Sequence, residues 1–218
     1  MVKQALLVAS TILLAGCGAM NNFLAEKFKT VEYYRIFDVR TAARRADISK
    51  AASDGLGRNV NRAEETTPIP TFGVAPAAPG RFALVSPSHG SPRAMFAARP
   101  MDVRVVVCDG AVWTATALRN VAGANSLKLT ACLFPYSQGY HLDLYAVFTK
   151  EEGGLYEVSR QAAYAMVGTP EQWTEKTFLD IVRSIRDQTG AEIAFVEGFP
   201  ELSGTPWLDR GEVIGRAK

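Results

Sequence analysis

The chain has 218 residues, 48% hydrophobic and 21% charged, which suits one globular domain with at most a smaller appendage. That composition excludes a wholly disordered or collagen-like chain. A formal net charge of +2 leaves no electrostatic footprint for a dedicated nucleic-acid binder, so no nucleic-acid partner is expected.

Residues 1–17 read MVKQALLVASTILLAGC. Lys3 gives a positive start, and Ala5 to Leu14 form an uncharged, mostly apolar run. The run is too short to span a bilayer core, which takes about 20 residues, and fits the apolar region of a secretory signal. It runs into Leu14-Ala15-Gly16-Cys17, which resembles the lipobox of bacterial lipoprotein precursors. The resemblance covers only these first residues. It implies that 1–16 is a signal peptide cut off before Cys17. The Cys17 sulfur then takes a diacylglycerol and its amine a fatty acyl group such as palmitate. Each buried acyl methylene contributes about 0.8 kcal/mol, so several chains make a durable membrane anchor. In the Gram-negative members of this class an Asp after the cysteine tends to retain the protein in the inner membrane. Gly18 stands there instead, which implies the outer membrane, facing the periplasm.

Residues 17–67 read as a tether and a small strand–helix unit. Gly18 to Asn22 is the tether, and Phe23 to Lys29 has room for a helical turn. Val31 to Thr41 is rich in β-branched and aromatic residues, hence a strand. Its odd positions Val31, Tyr33, Phe37 and Val39 are apolar, with Arg35 interrupting the row. Ile48, Ala51, Ala52 and Leu56 then recur at helical spacing after Asp47, a candidate N-cap. Gly55 and Gly57 should stop this helix at about 9–11 residues. Residues 68–100 hold seven of the eleven prolines, and each removes a backbone donor. This stretch is a Pro-rich linker or an irregular segment packed on the surface, with Arg81 to Val85 as its one short strand.

Residues 101–218 read as the main α+β domain. Asp109-Gly110 between Val103–Cys108 and Ala111–Asn120 is a two-residue hairpin signal, since a type I′ turn needs φ > 0 twice. Leu127 to Phe134 and Tyr140 to Phe148 alternate as half-buried antiparallel strands around a turn over 135–139. Ala162, Ala163 and Met166 favour a helix over 159–166. Thr169-Pro170-Glu171-Gln172 opens a long helix with a capping Thr, Pro at N1 and Gln at N3, and Gly190 closes it. Ala191 to Val196 is a final strand. The expected fold is therefore α+β: an antiparallel sheet of four or five strands packed on a long helix at about 170–189, with the small N-terminal strand–helix unit before it.

Cys108 and Cys132 are the two cysteines of the mature chain beyond Cys17. An envelope compartment permits disulfides, which favours a bridge between them. Geometry resists it. In a flat three-strand meander the first and third strands lie roughly 10 Å apart, whereas a disulfide needs Cα atoms within about 7 Å. Either the third strand leaves the meander or two free thiols stay buried. The oxidising compartment tips the expectation towards the bridge.

No complete catalytic set is visible. His141 and Asp143 share a strand face but lack a nucleophile, and His89 sits in a turn cluster. There is no His-Glu-x-x-His, Cys-x-x-Cys, calcium loop or phosphate-binding glycine loop, so neither metal nor cofactor is expected. Phe134, Tyr136 and Tyr140 flank a hairpin turn and are candidates for a recognition patch. Together these features point to a lipid-anchored envelope lipoprotein that binds an envelope protein or cell-wall partner and is not an enzyme. A small-ligand or lipid carrier stands as the alternative, and an envelope hydrolase with an unrecognised site stands behind that.

Overall fold

The computed structural model of the chain describes residues 27–69, 74–85, 104–121, 125–154, 159, 162, 164–165 and 168–209. The signal and lipobox, residues 1–17, lie outside the described residues. In chain order the elements are β1 (Lys27–Arg40), α1 (Arg45–Gly57), β2 (Ala63–Thr66), β3 (Ala83–Val85), β4 (Val105–Val107) and β5 (Trp113–Val121). They continue with β6 (Asn125–Tyr136), β7 (Gly139–Glu152), α2 (Pro170–Thr189) and β8 (Glu192–Phe199). Of the helix expected over 159–166, the described residues 159, 162, 164 and 165 are helical and the others lie outside.

The fold is α+β. Six strands form one sheet in the order β2-β5-β6-β7-β1-β8, with every neighbouring pair antiparallel, while β3 and β4 pair separately. The main sheet exceeds the expected four or five strands because β1 belongs to it. β1 pairs with β7 from Lys27 opposite Glu152 to Arg40 opposite Gly139, and with β8 along its other edge. Lys27–Lys29, expected as part of a helical turn, are therefore strand. The N-terminal strand–helix unit is not a separate piece, since it shares a sheet and a core with the residues beyond 101.

Period-two alternation gives this sheet two distinct faces. On one, Phe37 and Val39 of β1 line up with Leu142 and Tyr140 of β7, Leu133 of β6 and Trp113 of β5. Both helices lie on this face, and Ile48, Ala52 and Leu56 of α1 join Phe178, Ile181 and Ile185 of α2 in the same buried cluster. Trp207, beyond β8, packs edge-on against Phe37 and completes that core.

The α2 ends follow local rules. Thr169 accepts from the Gln172 N–H, Gln172 reaches back to the Thr169 N–H, and Gly190 adopts φ 64° as the C-cap. α1 departs from expectation at its start and in its length. Arg44 is its N-cap residue and makes no side-chain cap, while Asp47 lies in the first turn with its carboxylate 2.8 Å from the Arg44 guanidinium. At the other end the helix stops at Gly57, as expected, but runs on through Gly55 to a length of 13 residues. A Cβ at Gly55 would fall 2.6 Å from Ile181 Cα and 2.7 Å from Asp180 O, so Gly55 is where α1 and α2 touch.

Two turns also differ. The β6–β7 connection is tighter than 135–139, because Pro135 and Tyr136 are already strand and Tyr136 pairs with Gly139. At Asp109-Gly110 the turn closes with Ala111 N–H donating to Cys108 O, yet no hairpin forms. Gly110 alone has a positive φ, so the turn is not type I′ and its two arms splay apart. β4 goes to β3, and β5 enters the main sheet.

Candidate functional site on the strap-covered face

The second face of the sheet carries the side chains that alternate away from the helices. Its rows run across the strands: Ile36, Asp143 and Cys132 in one, Asp38, His141 and Phe134 in the next. Residues 74–85 and 104–111 lie over these rows as a strap.

The strap is fastened at several named points. Ser137 N–H donates to Pro76 O at 2.9 Å, and Phe82 N–H donates to Asp143 Oδ2 at 3.0 Å. Arg81 pairs with Glu197 of β8, and Arg104 with Glu32 of β1 at 2.9 Å. The Phe82 ring packs against Tyr34 and Tyr145. Gly80 passes so close to Phe134 that a Cβ would sit 2.7 Å from its ring. Of the Pro-rich stretch 68–100, residues 74–85 touch the sheet at these points.

The covalent fastening is the disulfide between Cys108 and Cys132, with Cα atoms 6.0 Å apart. The meander objection fails because the first strand, not the third, leaves the sheet. With β4 paired to β3, Cys108 comes down onto β6 from above instead of lying two strands away within one plane.

Beneath the strap Asp143 is 1% exposed, with Oδ1 lacking a hydrogen-bond partner. Burial pushes its carboxyl pKa up to about 6, against the opposing pull of the Phe82 N–H and the Arg81 guanidinium. Beside it, burial lowers the His141 imidazole despite the nearby Asp38 carboxylate, so the ring is neutral at pH 7. Its Nε2 lies 3.9 Å from Asp38 Oδ1, a polar contact and not a hydrogen bond. Asp38 instead accepts from the Tyr136 hydroxyl and from Arg40 Nε at 3.0 Å. Burial and that bond to Asp38 raise the Tyr136 pKa.

His141 and Asp143, paired in the sequence by their spacing, share this face but serve different partners: Asp38 and Tyr136 for one, the strap for the other. The three aromatics of the expected recognition patch do not form one surface. Phe134 is 0% exposed under the strap, and Tyr136 is half-buried in the Asp38 cluster. Tyr140 opposes Pro135 in the register and points to the helix face, where its hydroxyl donates to Ala43 O at 3.2 Å. Asp38, Arg81, Phe82 and Glu197 escaped the sequence reading. Asp38 had a signal, as a carboxylate on the mixed face of an otherwise apolar strand, whereas Arg81 and Glu197 meet only through the tertiary fold.

Other polar features serve the framework. Arg35 is 3% exposed on the helix face and pairs with Glu175 of α2 at 3.0 Å, which explains its intrusion into an apolar row. An open cleft between α1 and β2 is lined by Arg45, Lys50, Ser53, Glu65 and Trp113. Glu65 is already taken there, accepting from Ser53 Oγ and Trp113 Nε1 at 2.9 Å each. Among the described residues no cluster of His, Cys, Asp and Glu is arranged to hold a metal ion, and no helix is long and apolar enough to cross a membrane. No protein-family model matches this chain, and no curated protein matches it.

Proposed function

We propose that this chain is a lipid-anchored protein of the bacterial cell envelope, attached to the outer membrane through Cys17 and facing the periplasm. It acts there by binding an envelope protein or a cell-wall component, without catalysis. The observation that carries the proposal is the order of features in residues 1–17: one positive charge, a short apolar run, small residues and then Cys17. The disulfide between Cys108 and Cys132 supports it from the other end of the chain, because such bonds persist in oxidising compartments and are rare in the cytosol.

Metabolic labelling with a fatty acid tests the anchor. The intact chain should take up label and fractionate with the outer membrane, and Cys17→Ala should lose both the label and the membrane association. Equal labelling of the variant would refute the lipoprotein assignment.

A further inference from the structure

We propose that the Cys108–Cys132 disulfide is a redox latch: cutting it frees the strap, residues 74–85 and 104–111, while the six-stranded sheet and its two helices stay folded. The proposal concerns a regulatory device and stands whether or not Cys17 is acylated.

The first support is that the strap stays out of the main core. The main cluster runs from the sheet into α1 and α2 and takes no residue from 74–85 or 104–111; it begins at Val112, where the strap ends. The apolar contacts of the strap form a separate small cluster, in which Phe82, Val106, Cys108 and Ala111 meet Cys132 and Phe134 of β6. Segments with few buried apolar contacts open locally at a lower cost than the global fold.

The second support is that most of the remaining fastenings are weak. The Arg81–Glu197 and Arg104–Glu32 pairs are partly exposed at every member, and exposed pairs contribute little. The bonds from Ser137 to Pro76 O and Ala77 O lie at an exposed turn. The stronger ones, the Phe82 N–H bond to Asp143 and the Phe82 ring against Tyr34 and Tyr145, hold only the 74–85 half. The disulfide is therefore the dominant restraint on the 104–111 half of the strap, up to Val112, whose N–H donates to Leu133 O at 2.8 Å.

The third support is the group that the strap buries. Asp143 lies under Phe82 with one carboxylate oxygen unpartnered. The charged groups facing it are Arg81 of the strap and Glu197 of β8. Its cross-strand neighbours, Ile36 on β1 and Cys132 on β6, carry no charge. On its own strand His141 has its pKa lowered and Tyr145 has its pKa raised to about 12, each chiefly by burial. Asp38 and Tyr136 are engaged with one another. Opening the strap returns Asp143 to water and its pKa towards the ordinary carboxylate range. Proton binding therefore favours the closed strap. Closure is strongest below about pH 4 and weakens as the pH rises through about 6. At neutral pH the latch holds the strap down over a carboxylate that gains by hydration.

The chemistry is thiol–disulfide exchange with a dithiol reductant. A thiolate of the reductant attacks the Cys108 sulfur, the more exposed of the two, and the S–S bond breaks with Cys132 leaving as a thiolate that takes up a proton. The second thiol of the reductant then displaces Cys108. Two electrons pass to the protein, which ends with two thiols, and the reductant ends as its own disulfide.

Amide hydrogen exchange on the full mature chain, with and without dithiothreitol, tests the latch. At about pH 7.5 reduction should raise exchange in 74–85 and 104–111 by roughly tenfold or more, with β1, β7 and α2 unchanged. At about pH 5, after correction for intrinsic rates, the rise should shrink by about tenfold, and Asp143→Asn should abolish this pH effect. No rise in the strap on reduction would overturn the latch. So would an equal rise across β1, β7 and α2, which would make the bond a staple of the whole fold. A pH effect that persists in Asp143→Asn would overturn the role given to Asp143.

Discussion

Asp143 is a carboxyl group that the fold takes almost wholly out of water, at 1% exposed. Its folded pKa of about 6 lies above the value of about 3.9 for an unfolded chain, so the folded state binds the proton more tightly. The unfolded state then holds fewer protons between those values, and stability falls as the pH rises from about 4 to about 6, levelling off above. Two pKa units correspond to about 2–3 kcal/mol. In the oxidised protein, Asp143→Asn should therefore be more stable at pH 7 by up to about 2–3 kcal/mol, since the amide oxygen still accepts from Phe82 N–H. Urea unfolding across this pH range measures it, and a variant with the slope of the parent would show that another group titrates there. The sequence placed Asp143 on a face with His141, but the burial comes from a segment whose Phe82 lies 61 positions earlier in the chain. No local pattern encodes that distance. Arg35 is the reverse case: its oddity was visible as a charge in an apolar row, and only its partner Glu175 was hidden.

Among the elements, α1 shows how a local rule fails under a tertiary contact. Gly55 and Gly57 look alike in sequence, as helix-weakening residues near a C-terminus. In the structure a Cβ at position 55 meets the backbone of α2, while at position 57 it meets nothing within 4 Å. Gly55→Ala should destabilise the protein by about 1–3 kcal/mol, because overpacking against backbone outweighs a propensity gain of about 1 kcal/mol. Gly57→Ala keeps the gain without the clash and should be neutral or stabilising by up to about 1 kcal/mol. Thermal unfolding of the two single variants compares them directly, and equal shifts would contradict the close helix contact. α2 shows the opposite behaviour. Its start and stop depend on Thr169, Pro170, Gln172 and Gly190, all within a turn of the ends they define, so sequence spacing alone places them.

At the scale of the whole molecule, the position of β1 decides what a cut chain should do. A protease acting between Pro68 and Pro100 meets backbone poor in donors and separates β1 and α1 from the rest of the polypeptide. Because β1 lies between β7 and β8 and α1 packs on α2, the two fragments should stay together. Nicked protein should elute in native gel filtration with the intact chain and divide only in denaturant. Two native peaks would mean that the fragments fold as separate units. By itself the sequence determined the class of fold, most strand positions, the ends of α2 and the two cysteines available to pair, because each depends on periodicity, capping or composition over a few neighbouring residues. Only the tertiary structure decided that β1 completes a six-stranded sheet, that β4 leaves it so that Cys108 reaches Cys132, and that Phe134 and Asp143 lie beneath a strap. These are pairings between residues far apart in the chain, and one strand's alternating pattern states which face is apolar but not which strand or segment will cover it.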